Sequence, residues 1–178
     1  MPALDQVGQR FEKGTLFLPQ LLMSAEAAKG AFGVIQDRLA QRGEHQRTKG
    51  KVLVATVQGD IHDIGKNIVK VLLENYGYQV VDLGKDVPPQ TILQCVLKEK
   101  IKLVGLSALM TTTVPSMERT IDLLHQQAPW CRVMVGGAVL TEDYARSIGA
   151  DAYAKDAMAS VRYANTVFEL EAATDERS

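Results

Sequence analysis

Only two cysteines occur in the 178 residues, Cys95 and Cys131, and neither lies in a CxxC pair or beside a Cys/His cluster. Zinc-finger and disulfide-scaffold readings are excluded on that ground, and a reducing cytoplasm is the expected setting. A surplus of either charge is also lacking, since 20 basic side chains stand against 21 acidic ones. Such balance gives no electrostatic footprint for nucleic acid or an anionic membrane. No apolar run approaches the roughly 20 residues that span a bilayer, and the N-terminus shows no basic, apolar, small-residue leader pattern. Internal repeats are missing as well. What is present, 46% hydrophobic and 23% charged residues, is an ordinary globular composition. The length suits one well-cored domain and a smaller element. The opening "MPALDQVGQRF" already follows an amphipathic pattern, as expected of a piece cut from a longer chain.

From Pro19 the stretch "PQLLMSAEAAKGAFGVIQDRLAQR" predicts one long helix, with Pro19 in the first turn and Leu21, Ala25, Ala28, Phe32, Ile35 and Leu39 at helical spacing. A shorter helix over 3–13 precedes it through Gly14. Two helices cannot enclose such a stripe, so segment 1–46 must lean on something else. The polar stretch "RGEHQRTKG" (42–50) reads as a linker. Over 47–170 short β-branched runs at 52–57, 78–83, 102–107, 132–137 and 151–154 alternate with helical patterns near 65–76, 89–100, 114–127, 141–148 and 157–170. Residues 171–178 read as a polar tail. This alternation predicts an α/β fold, a flavodoxin-like (Rossmann-type) parallel sheet of five strands with helices on both faces. Order 2-1-3-4-5 would place the ligand where strands 1 and 3 diverge. The loops "QGDIHDIG", "SALMTTT" and "GGAV" would then open on one edge.

The first of these loops carries the chemistry. "GDIHDIGKN" (59–67) resembles a phosphate loop only superficially: five residues separate Gly59 from Gly65, Asn67 follows Lys66, and two carboxylates would repel phosphate. A phosphoacceptor receiver would share the sheet order, and Lys155 stands well for it. Strand 3 ends at Ser107, however, where the acceptor aspartate should be. A third reading makes His62 a metal ligand, with Asp60 as the carboxylate that orients such an imidazole. The plainer alternative is a polar loop residue with Asp60 or Asp63 capping the next helix. No second histidine or cysteine neighbours His62, so a protein-only zinc site is excluded and a metal bringing its own ligands remains. Met110, Met117 and Met134 read as packing residues, and Lys66 and Asn67 as the solvated start of a helix.

Asp60-x-His62-x-x-Gly65, then Ser107-x-Leu109, then Gly136-Gly137 resembles the cobalamin-binding signature of methionine synthases and related corrinoid proteins. "FLPQLLMSAEAAK" is similar to cap helices that precede the B12 domain in that family, about half of a four-helix cap being present. The resemblance implies cobalamin, as methylcobalamin, bound base-off with His62 as the lower ligand of cobalt. Asp60 would be its hydrogen-bond partner, and Thr113 would stand where the family's relay has a serine. Asp63, Ser107, Leu109 and Thr111 would contact the cofactor or its buried nucleotide tail. Gly65, Gly136 and Gly137 would leave room for that tail, and Phe17 would sit near the cobalt's methyl group, with Leu18 and Leu21 as the next candidates. A methyl carrier follows, working from methyltetrahydrofolate to homocysteine with folate- and homocysteine-binding methyltransferase domains and a reactivation partner. The alternatives are a standalone corrinoid protein for methanol, methylamines or aromatic ethers, and a B12-dependent sensor. Exposed cap surface is a candidate homodimer contact.

Overall fold

A computed structural model of the chain describes residues 2–41 and 48–175. Two helices come first, α1 (Pro2–Glu12) and α2 (Leu18–Gln41), separated at Gly14, whose φ of 68 suits glycine. Pro19 falls in the first turn of α2, as expected, where its missing N–H costs nothing. Of the predicted stripe on α2, Leu21 is buried and Ala28 half-buried. The side chains of Ala25, Phe32, Ile35 and Leu39 lie outside the described residues, as does the expected boundary at 46–47 within the linker.

The remainder alternates strictly: β1 (Lys51–Thr56), α3 (Ile64–Asn75), β2 (Gln79–Asp82), α4 (Pro89–Glu99), β3 (Leu103–Ser107), a single 3-10 turn (Thr111–Thr113), α5 (Val114–Gln127), β4 (Arg132–Gly136), α6 (Glu142–Ser147), β5 (Ala152–Tyr153) and α7 (Ala157–Asp175). All strand pairs are parallel, in the order β2-β1-β3-β4-β5. The order expected from the sequence is the one formed. Strand β5 is shorter than the expected 151–154, and α7 continues to Asp175, so residues 171–175 are helix rather than tail. Residues 176–178 lie outside the described residues.

Residues such as Val52, Leu53, Val54, Leu103, Val104, Val133 and Val135 are essentially inaccessible to solvent, which is why these strands read as continuous apolar runs. One core lies on the side of α4, α5 and α6 and includes Leu53, Val104, Ile92, Met117 and Ile121. A second, on the side of α3 and α7, includes Val54, Leu72, Tyr76, Met134 and Val161, and draws in Leu21 with Val7, Phe11 and Leu16. The helical segment therefore finds its cover on the α3/α7 side of the sheet. Among the described residues, no helix is long and apolar enough to cross a membrane.

Register places the chemistry. Thr56 pairs with Ser107 and Ser107 with Gly136, so β1, β3 and β4 end at one level and their loops leave the sheet together. Because the chain turns from β1 to β2 on one side and reaches β3 on the other, those loops flank a crevice. Gly137, just past β4, has φ +142, and a Cβ there would overlap the carbonyl oxygen of Ala108 in the loop after β3. Close approach of two backbones thus demands glycine before any ligand is considered. Gly137→Ala should lower the free energy of unfolding by at least about 2 kcal/mol. Urea denaturation measures it, and an unchanged midpoint would contradict this account of the loop.

Candidate functional site

Asp60 is fully buried, and its carboxylate is the most heavily hydrogen-bonded group at the crevice. Oδ1 accepts the His62 backbone N–H at 3.0 Å and lies 2.8 Å from the His62 ring Nδ1. Oδ2 accepts the N–H groups of Leu109 at 2.7 Å and Met110 at 3.2 Å. The Thr113 hydroxyl lies 3.0 Å from the same oxygen and 2.8 Å from the Met110 carbonyl, so its single proton is shared between two acceptors. Burial alone would push the Asp60 carboxyl up. The donors from His62, Leu109 and Thr113 outweigh it and hold the group well below the usual carboxylate range. Asp60 therefore stays ionised inside the protein, and a carboxylate so placed draws a proton onto Nδ1 of His62. That tautomer leaves Nε2 with the free lone pair.

Only the aspartate of the pair is buried: the His62 side chain is 46% exposed and borders a cavity of about 720 Å³. The wall is formed by the start of α3 (Ile64, Gly65, Ile68, Val69), the ends of β3 and β4 (Leu106, Ser107, Met134, Val135, Gly136), the loops beyond them (Leu109, Gly137) and the segment from Tyr153 to Ser160. Phe11 and Leu21 add the helical segment's contribution. The lining is largely apolar with a few polar groups among it, the usual make-up of an organic ligand's site. Ser107 Oγ meets Thr56 Oγ1 at 2.8 Å, which anchors it on the wall.

Of the residues singled out from the sequence, His62, Asp63, Gly65, Ser107, Leu109, Gly136 and Gly137 come together around this cavity, with Asp60 and Thr113 directly behind the histidine. Two do not join them. Thr111, first residue of the 3-10 turn, is exposed and off the cavity wall, while that turn carries Thr113 inward. Phe17 is 71% exposed and also off the wall. It precedes α2 with its N–H bonded to Gln20 Oε1, and the buried face begins one turn later at Leu21. Asp63 stands at the N-cap position of α3 but makes no side-chain cap bond.

Lys66 departs most from expectation. Far from being solvated, its side chain is 2% exposed, with Nζ 2.7 Å from Asp82 Oδ1 and 2.6 Å from Asn67 Oδ1. The countercharge at the end of β2 makes that burial tolerable. Burial would raise the Asp82 carboxyl, but the bonds from Lys66, the Gly84 N–H and Lys70 hold it low. Gly105, inside β3, also borders the cavity and was passed over. A glycine within an apolar strand is the signal that could have found it.

Among the described residues no group of three or more His, Cys, Asp and Glu side chains gathers around a metal. A metal bound by His62 would therefore bring most of its own ligands. The site fits such a group: one imidazole backed by a carboxylate, a deep apolar wall, and Gly65, where a Cβ would meet nothing within 4 Å.

Two family profiles match the chain, both described as B12 binding domain, one over residues 50–162 and the other over 1–36. Dimethylamine corrinoid protein 3 of Methanosarcina mazei is 40% identical over 160 residues, covering 89% of this chain and 95% of that protein. The trimethylamine corrinoid protein of Methanosarcina barkeri is 41% identical over 169 residues, 92% of this chain and 78% of that one. A solved structure, the methanol:cobalamin methyltransferase complex MtaBC from Methanosarcina barkeri, superposes with a TM-score of 0.80 at 34% identity. It covers 93% of this chain and 63% of that one.

Because the folded-state Asp60 carboxyl lies below its unfolded value of about 3.9, the unfolded chain binds more protons as pH falls through that value. The stability contributed by Asp60 is complete well above that pH and is lost progressively as pH falls from it towards the lower folded-state value. In the apo protein, Asp60→Asn should cost more stability at pH 7 than at pH 3, where part of the contribution has already been lost. Urea titrations at both values measure this, and an equal cost would contradict it.

Proposed function

This chain belongs to the B12 binding domain family and binds cobalamin, and on that premise we propose that it is the corrinoid carrier of a methyltransferase system for methylamines or methanol, in which His62 would be the residue that holds cobalt. The observation that carries the proposal is the 2.8 Å contact between His62 Nδ1 and the buried Asp60 carboxylate at the cavity's edge. Bound cobalamin supplies a cobalt centre that accepts a methyl group and gives it up.

The chain's own residues do the rest. Asp60 keeps a proton on His62 Nδ1, fixes the ring's orientation and raises the donor strength of Nε2. Leu109, Met110 and Thr113 hold Asp60 in turn, so the ligand's basicity is set from the loop after β3. Gly65 leaves the cavity wall without a side chain where a Cβ would meet nothing within 4 Å, room that the cofactor's nucleotide tail would use. Ser107, held by Thr56, would offer that tail a hydroxyl. Phe11 and the expected Leu21, rather than Phe17, border the apolar side of the cavity.

Similarity to a dimethylamine corrinoid protein, a trimethylamine corrinoid protein and a methanol:cobalamin methyltransferase complex favours this reading over a fragment of methionine synthase. The partners it implies are a methyltransferase subunit that presents the methyl donor and a protein that reactivates oxidised cobalt. Methyltetrahydrofolate and homocysteine are not implied. Reduced, cobalamin-loaded protein should be methylated from a methylamine or methanol by a corrinoid-dependent methyltransferase of that type, followed as the change in visible absorbance. Methylation from methyltetrahydrofolate by a folate-binding methyltransferase, with none from the amines or methanol, would contradict the proposal.

A further inference from the structure

The loop that carries His62 is gripped from outside the cavity. Gly59 N–H donates to the Asp86 carboxylate at 2.7 Å, and Asp86 N–H donates to the Asp60 carbonyl at 3.0 Å, so one residue closes two bonds on the turn just before His62. Asp86 holds φ 56, in the left-handed region, and Gly59 holds φ 87. A non-glycine residue keeps such a conformation only where its surroundings over-determine it. The other end of the loop is tied to the same segment: Lys66, in the first turn of α3, reaches Asp82 at 2.7 Å. Asp82 Oδ1 also accepts the Gly84 N–H at 2.9 Å, and the Gly84 carbonyl accepts the Thr56 N–H at 2.9 Å. Neither Asp82 nor Asp86 borders the cavity.

We infer that Asp86 is a positioning residue for His62: its carboxylate sets the Gly59–Asp60 turn, and through it the ring that the proposed cobalt ligand presents, with the Lys66–Asp82 pair as the second anchor. The inference rests on the assignment of His62 above. Asp60 is held on its side-chain oxygens by the loop after β3 and on its backbone carbonyl by the loop after β2. Loss of the Asp86 carboxylate leaves the Asp60 carboxylate and the Asp86 N–H bond to the Asp60 carbonyl in place but frees Gly59 N–H, and with it the turn that leads into Asp60 and the histidine. Coordination should then weaken without loss of the cavity, since no cavity-lining group is altered.

Full-length protein loaded with methylcobalamin tests this by visible spectrum, which separates histidine-ligated from unligated base-off cofactor. Asp86→Gly removes the acceptor while suiting the positive φ, and Asp86→Asn keeps an acceptor oxygen and tolerates that φ. The ratio of histidine-on to histidine-off cofactor should fall at least about tenfold in Asp86→Gly, the scale of a hydrogen bond to a charged group. Asp86→Asn should restore most of it. A purely structural role would lower the unfolding midpoint and cofactor retention but leave the ratio of the retained fraction unchanged, and that result overturns the inference. Equal loss in both variants overturns it too. Should Asp86→Gly be too loose to retain cofactor, Asp86→Ala supplies the same comparison. Wild-type protein without a histidine-on spectrum refutes the His62 assignment itself, so the two failures are distinct.

Discussion

The Asp60 carboxylate is the group around which the crevice is organised. A bare carboxylate is costly to bury, and this one is tolerated because donors from two loops converge on it. Its own loop, after β1, contributes the backbone and ring of His62; the loop after β3 contributes Leu109, Met110 and Thr113. The two loops part at the switch point of the sheet, where the chain's winding opens a crevice whatever the sequence. Asp60 closes the base of that crevice by joining them, and in doing so fixes which nitrogen of His62 faces the cavity with a lone pair. Electrostatics and fold meet here in one residue.

The remainder of the site follows from strand ends held in register. Thr56, Ser107 and Gly136 lie side by side across β1, β3 and β4, so two neighbouring hydroxyls and a glycine stand in one row, with Ser107 and Gly136 on the cavity wall. Small residues at this level let backbone form the wall. They serve different ends, though. Gly65 faces open space, whereas Gly137 is required by the approach of the Ala108 carbonyl and would be required with the cavity empty or full. Similarity to a ligand-binding pattern does not separate these cases; the local backbone does.

How far the site could be read from the chain depends on which residues are near in sequence. The α/β alternation, the strand order and the pairing of Asp60 with His62 were legible because periodicity and a two-residue spacing are local facts. Thr113 was legible only by resemblance, since 53 residues separate it from Asp60. Lys66 was misread because its partner Asp82 lies 16 residues away on β2, and a lysine beside a loop looks solvated until that countercharge is placed. Phe17 was misplaced for a related reason. The helical segment's pattern says which face is apolar, but not where that face meets the sheet, and it is Phe11 and Leu21 that border the cavity. Helical segment and sheet meet through tertiary packing that neither periodicity encodes.

The central claim, that a histidine of this chain replaces the cofactor's own base on cobalt, is open to one direct measurement. Protein labelled with 15N-histidine and loaded with unlabelled cobalamin in the cobalt(II) state should show, by electron paramagnetic resonance, each cobalt line split into a doublet by the labelled nitrogen. The splitting should be absent in His62→Ala. Triplet splitting that ignores the label would place the cofactor's own base on cobalt and contradict the account.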